Sequence, residues 1–169
     1  EKHAFVHIGY ADEQQPPDVY GGWGPTLAPQ RLQATANGLS ECGYTGFMAY
    51  SEGVFDDVNK AIFGGIGSGV YSSADEVMRA YAERYFDASE PNQARWSEWL
   101  SQWGTPFEVD TSSARRVFDE ISSGVDRTWR FEQIEAKLRL FELHAAVLER
   151  DNWDDQRHAA ANEWYAVRE

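Results

Sequence analysis

With 169 residues, 42% of them hydrophobic and 14% aromatic including seven Trp, the chain has the apolar material for a packed core and is not a disordered acidic tail, despite its net charge of −13. That acidity excludes a surface that tracks a nucleic-acid backbone, which needs clustered Lys and Arg, and no apolar run approaches the roughly 20 residues that span a bilayer. Neither a nucleic-acid nor a membrane partner is expected, Cys42 is expected as an inert buried thiol, and an opening Glu1 in place of Met suggests a piece excised from something longer.

Residues 3–10, His-Ala-Phe-Val-His-Ile-Gly-Tyr, read as a strand of near-continuous apolar character. A long Pro- and Gly-bearing loop over 11–27 follows, and loops of that length are more often functional than idle. Residues 28–41 read as a helix entered through Pro29, with Leu32, Ala36 and Leu39 on one face and Gly43 ending it. Residues 46–50 are a second strand, so the order strand, helix, strand forms a parallel crossover unit. A short helix over 54–63 is expected to break at Gly64, Gly65, Gly67 and Gly69. Ser73-Ala74-Asp75-Glu76 is a capping-box pattern for a helix to about residue 86. Helices are then predicted over 91–103, 112–123, 129–150 and 154–167. The longest carries Phe131, Ile134, Leu138, Phe141, Ala145 and Leu148 as an apolar seam, and Trp96, Trp99 and Trp103 share one face of theirs.

The stretch Gly46 to Gly53 places a carboxylate, Glu52, just past a strand's carboxyl end, where loops converge in parallel α/β proteins. Glu52 either acts on a ligand or accepts backbone N–H groups in a tight turn. Asp12, after the first strand, is its counterpart; two such carboxylates about 5 to 9.5 Å apart are what glycoside hydrolysis requires. Trp23, flanked by glycines, either stacks on a flat ligand or pins its loop, and Tyr10 and Tyr50 either supply hydroxyls or lie buried. Asp56-Asp57-Val58-Asn59-Lys60 lacks the alternate spacing of a calcium loop and suits a helix first turn, with Asn59 placed to reach a ligand beside Glu52. The four His residues make no metal pattern, and the Gly64–Gly69 series does not end as a phosphate loop does. No metal and no cofactor are expected.

At Gly22-Trp23-Gly24-Pro25, Pro29-Gln30-Arg31-Leu32, Gly46 to Gly53 and Asp56 to Lys60, residues 1–87 resemble the last part of a bacterial (β/α)8 glycoside hydrolase domain. The neighbourhood is that of hexosaminidases and α-glucuronidases, in which a helical domain follows the barrel. The resemblance implies an α/β plus all-α fold: the terminal βαβ portion of a barrel over 1–72 and a helical bundle over 73–169. It implies a C-terminal portion of a carbohydrate-active enzyme, inactive alone, with Glu52 and Asp12 catalytic and Trp23, Tyr50, Tyr10 and Asn59 binding a sugar. Its partners are then carbohydrate and the remainder of the barrel, in the same or another chain. The alternative is a non-catalytic interaction module built on the aromatic-rich helices.

Overall fold

The two apolar runs pair as parallel strands in the computed structural model, which describes residues 1–8, 27–50, 56–104, 109–148 and 155–168. Strand β1 (His3–His7) sets His3 opposite Gly46 and His7 opposite Tyr50 of β2 (Gly46–Tyr50). Side chains alternate across a strand. Phe47 therefore turns onto the helices, its ring edge-on to Phe63 at 4.6 Å, while Phe5 and Met48, facing each other in register, stand 59% and 66% exposed.

The chain divides into two compact units, Glu1–Gly104 and Thr105–Glu169. In the first, the sheet is joined by α1 (Pro29–Glu41), α2 (Asp57–Gly67), α3 (Ala74–Phe86) and α4 (Glu90–Ser101), with one 3-10 turn at Gln102–Gly104. Helix α1 packs on α2 and α3, α2 on α3, and α3 on α4. A row of rings locks the last pair: Tyr81 meets Phe86 at 5.6 Å, Phe86 meets Trp96 at 4.5 Å, and Trp96, Trp99 and Trp103 follow in edge contact. All three Trp are buried. They therefore supply the large apolar area that a small unit needs, beyond which aromatic pairs add about 0.5–1.5 kcal/mol each. Polar ties fix the angles. Tyr81 donates to the Asp57 carboxylate at 2.6 Å, and the Gln33 side-chain carbonyl accepts the Ala74 N–H at 2.7 Å.

Of the glycines expected to break α2, Gly64, Gly65 and Gly67 sit inside it, and Gly69 follows its end with a φ of +73°. Helix α2 runs on through Gly64 and Gly65 to Gly67. A β-carbon on Gly65 would meet Tyr71 and Val77 at 3.0 Å, and one on Gly67 would overlap the Phe47 ring. These residues are kept small so that α2 can approach its neighbours, which outweighs their poor helix propensity of about 1 kcal/mol each.

The expected fold class is corrected by these elements. The chain is a small, mostly α-helical fold with a two-stranded parallel sheet, and not the βαβ end of a barrel followed by a bundle domain. Barrel strands are covered on both faces, whereas Met48, Ala49 and Tyr50 are all exposed and the helices pack chiefly on one another. Cys42 also departs from expectation: it lies exposed in the turn after α1.

The second unit comprises α5 (Thr111–Ile121), α6 (Trp129–Leu148) and α7 (Asp155–Arg168). Asp110 caps α5, accepting the N–H groups of Ser112 and Ser113 at 3.0 and 3.2 Å. Of the seam, Phe131, Ile134, Leu138 and Phe141 are buried and Ala145 is half-buried; Leu140, Leu143 and Val147 are buried as well, because α6 packs against both α5 and α7. Charges link the three helices across their outer surface. Arg115 grips Glu142 with two hydrogen bonds of 2.6 and 2.9 Å, and Arg139 reaches both Glu142 and Glu163. The paired Glu142 holds the Arg115 guanidinium above its ordinary pKa, against partial burial.

His144 is buried on α6, and burial pushes its pKa from 6.5 down to about 4. Above pH 6.5 the imidazole is neutral in both states and the unit keeps its full stability. As pH falls toward 4 the unfolded chain binds a proton that the folded chain refuses, and stability is lost at up to about 1.4 kcal/mol per pH unit. Urea unfolding of wild type and His144→Gln, compared across pH 4 to 7, should show the wild-type advantage shrinking as pH drops below 6.5. An advantage that stays constant there means that the folded protein protonates His144 freely.

Candidate functional site

Because β1 and β2 are parallel, their carboxyl ends lie together. The Ile8 N–H donates to the Tyr50 carbonyl at 2.9 Å, so the residues that immediately precede 9–26 and 51–55 are hydrogen-bonded neighbours. On the far side of both segments, the Ala28 N–H, just before α1, donates to the Asn59 side-chain carbonyl at 3.2 Å in the first turn of α2. Glu52, Asp12, Trp23 and Tyr10 lie outside the described residues. Tyr50 ends β2, 37% exposed, its ring stacked on Phe5 at 6.1 Å. Asn59 is buried, and its carbonyl oxygen is held by Ala28. Of the six sequence candidates the structure therefore places two, at opposite ends of the 51–58 stretch.

A second feature is the outer face of the sheet. Phe5, Met48 and Tyr50 form a contiguous apolar surface, with Tyr44 also exposed just ahead of β2. The sheet has two strands among the described residues, so each strand keeps one edge of N–H and C=O groups outside the ladder.

A third is a groove of about 660 Å³ on the helices of the first unit. Helix α1 contributes Gln30, Gln33 and Asn37, spaced three and four apart and so on one face. The α3 wall carries Asp75 and Arg79. Asp75 Oδ1 accepts the Ser97 hydroxyl of α4 at 2.6 Å and Oδ2 accepts the Arg79 Nε at 2.7 Å. Burial works to raise the Asp75 pKa, but those two hydrogen bonds and the guanidinium charge outweigh it and hold the carboxyl below its ordinary range. The pair is thus ionised and internally compensated. The groove draws its polar groups from three separate helices, which no single motif marks; the polar stripe 30, 33, 37 was its one signal in the sequence.

Comparison with family models, with curated proteins and with solved structures returns no match. Among the described residues, no three potential metal ligands come together and no helix is long and apolar enough to cross a membrane.

The Asn59 tie is testable by itself. Replacing Asn59 with Ala strips a buried N–H of its acceptor, which should destabilise the first unit by about 1–3 kcal/mol. Thermal unfolding followed by circular dichroism measures this; an unmoved midpoint means that water replaces the bond.

Proposed function

We propose that the first unit is a protein-interaction module that accepts an additional strand on its open two-stranded sheet. One observation carries this: Phe5 and Met48, facing each other across the register, are 59% and 66% exposed on a sheet that has only two strands among the described residues. Strand addition satisfies both needs at once, since the ladder takes up the edge groups and side chains on the incoming strand cover the apolar face. The occupant is a largely apolar, extended segment of another polypeptide or of a longer form of this one. A second copy of this chain is disfavoured, because each carries a net charge of −13. The face of α4 and its 3-10 turn that carries Trp96, Trp99 and Trp103 is not the docking surface in this reading, since all three are core.

The probe is a set of short synthetic peptides alternating Val, Thr and Phe, with backbone amide exchange of β1 and β2 as the readout. Bound peptide should slow exchange at one strand edge in wild type, and Met48→Lys should weaken binding by about tenfold or more, the penalty of setting a charge against an apolar face. Unaltered exchange with every peptide, or equal binding by Met48→Lys, overturns the proposal.

A second reading is favoured by the paired anchors of segments 9–26 and 51–55. Both carboxylates, Asp12 and Glu52, belong to segments tethered at the same end of one parallel pair, which supports hydrolysis of a glycosidic bond with one as acid and the other as base or nucleophile. Trp23 would then stack on the sugar. In the full-length protein, Glu52→Gln should lower turnover of aryl glycosides by about a hundredfold or more with an unchanged thermal midpoint. Turnover equal to wild type removes Glu52 from the chemistry.

A further inference from the structure

The groove on α1, α3 and α4 lies apart from the outer face of the sheet: among the described residues, none from β1 or β2 lines it. At about 660 Å³ it has the size of a small-molecule site. We propose that it binds a small, uncharged, hydroxyl-rich ligand, a polyol or a mono- or disaccharide.

The chemistry of the walls selects that class. Asp75 and Arg79 pair with each other, so the charge left over on the lining is that of the exposed Glu98 carboxylate. An anion would find Arg79 already engaged through Nε, with the carboxylate of Glu98 on the same wall system and an overall charge of −13 around it. A bare cation would find Asp75 already engaged by Arg79 and Ser97, which leaves Glu98 as its anionic partner beside that guanidinium. What remains is a mixture of donors and acceptors. Gln30 and Asn37 are exposed amides with no hydrogen bond among the described residues, each offering one carbonyl and one NH₂. Gln33 presents its carbonyl to Ala74, which fixes the amide and leaves its NH₂ as a donor. The outer nitrogens of Arg79 also remain as donors, and Glu98 as an acceptor.

A hydroxyl group both donates and accepts, so a ligand dense in hydroxyls meets every one of these groups without bringing a charge into the groove. Met78 and Ala34 supply small apolar patches suited to C–H edges. No aromatic side chain lines the groove, so affinity rests on hydrogen bonds exchanged against water, and a millimolar Kd is expected.

The test is a titration followed by nitrogen–proton correlation spectra of the whole chain, using glucose, N-acetylglucosamine, maltose and sorbitol. Sulfate, glycine and trialanine serve as the charged and peptide comparisons. At least one neutral ligand should give saturable shifts in the amides of α1, α3 and α4. Asn37→Leu and the groove-filling Ala34→Gln should each weaken it about tenfold; both positions are exposed, so the fold is retained. Met48→Lys on the sheet should leave this binding unchanged, which separates its outcome from that of strand addition. Three results overturn the proposal: no saturable shift with any neutral ligand, saturation at these helices only by sulfate, glycine or trialanine, or neutral-ligand binding that neither groove variant weakens.

Discussion

Two parallel strands cannot be joined by a hairpin; the chain must travel back outside the sheet before the second strand can start in the same direction. In this protein α1 makes that return, and the rest of the first unit is arranged around where it lies. Its leading end is stitched to α2 through Ala28 and Asn59, and its middle meets the start of α3 through Gln33. Its polar face forms one wall of the helical groove. The sheet itself is lightly held. Phe47 is its main peg, set against Phe63 and the bare backbone of Gly67. A unit whose core is helical and whose sheet hangs on one ring can change what covers that sheet without repacking its interior.

The second unit solves a different problem, that of holding three helices together with ion pairs laid over an apolar core. Its apolar seam wraps much of α6, so α5 and α7 are each packed on the same central helix. Over that core the charges alternate from Arg115 to Glu142 to Arg139 to Glu163. A single exposed pair of this kind contributes little, but one carboxylate shared between two guanidiniums lets each Arg restrain the next. The arrangement places each cation of the row beside more than one acid, since Arg115 also lies near Asp119.

Much of this was legible in the amino-acid order. The parallel pair, the crossover helix entered at Pro29, the capped start of α3 at Ser73 and the buried seam of α6 all follow from apolar spacing and capping chemistry. The extent of the sheet was not legible, because a run such as Gly46 to Tyr50 shows that a strand forms and not how many strands flank it. Phe5 and Met48 have the composition of buried strand residues and yet face outward. The glycines of α2 were misleading for a related reason: spacing along the chain records propensity, while Gly65 and Gly67 answer to side chains from elsewhere. Of the candidate site, Tyr50 and Asn59 were placed, and the groove escaped because its groups meet only after three helices have packed.

The bond from the Ala74 N–H to Gln33 has one more consequence. Helix first turns ordinarily satisfy their free N–H groups with their own chain or with water; α3 has given one of them to a side chain on α1. If α1 lifts away, α3 loses that acceptor in the same instant, so fraying of the one propagates into the other. The two helices then open as a single native-state fluctuation, and the amides of both should belong to one cooperative exchange unit.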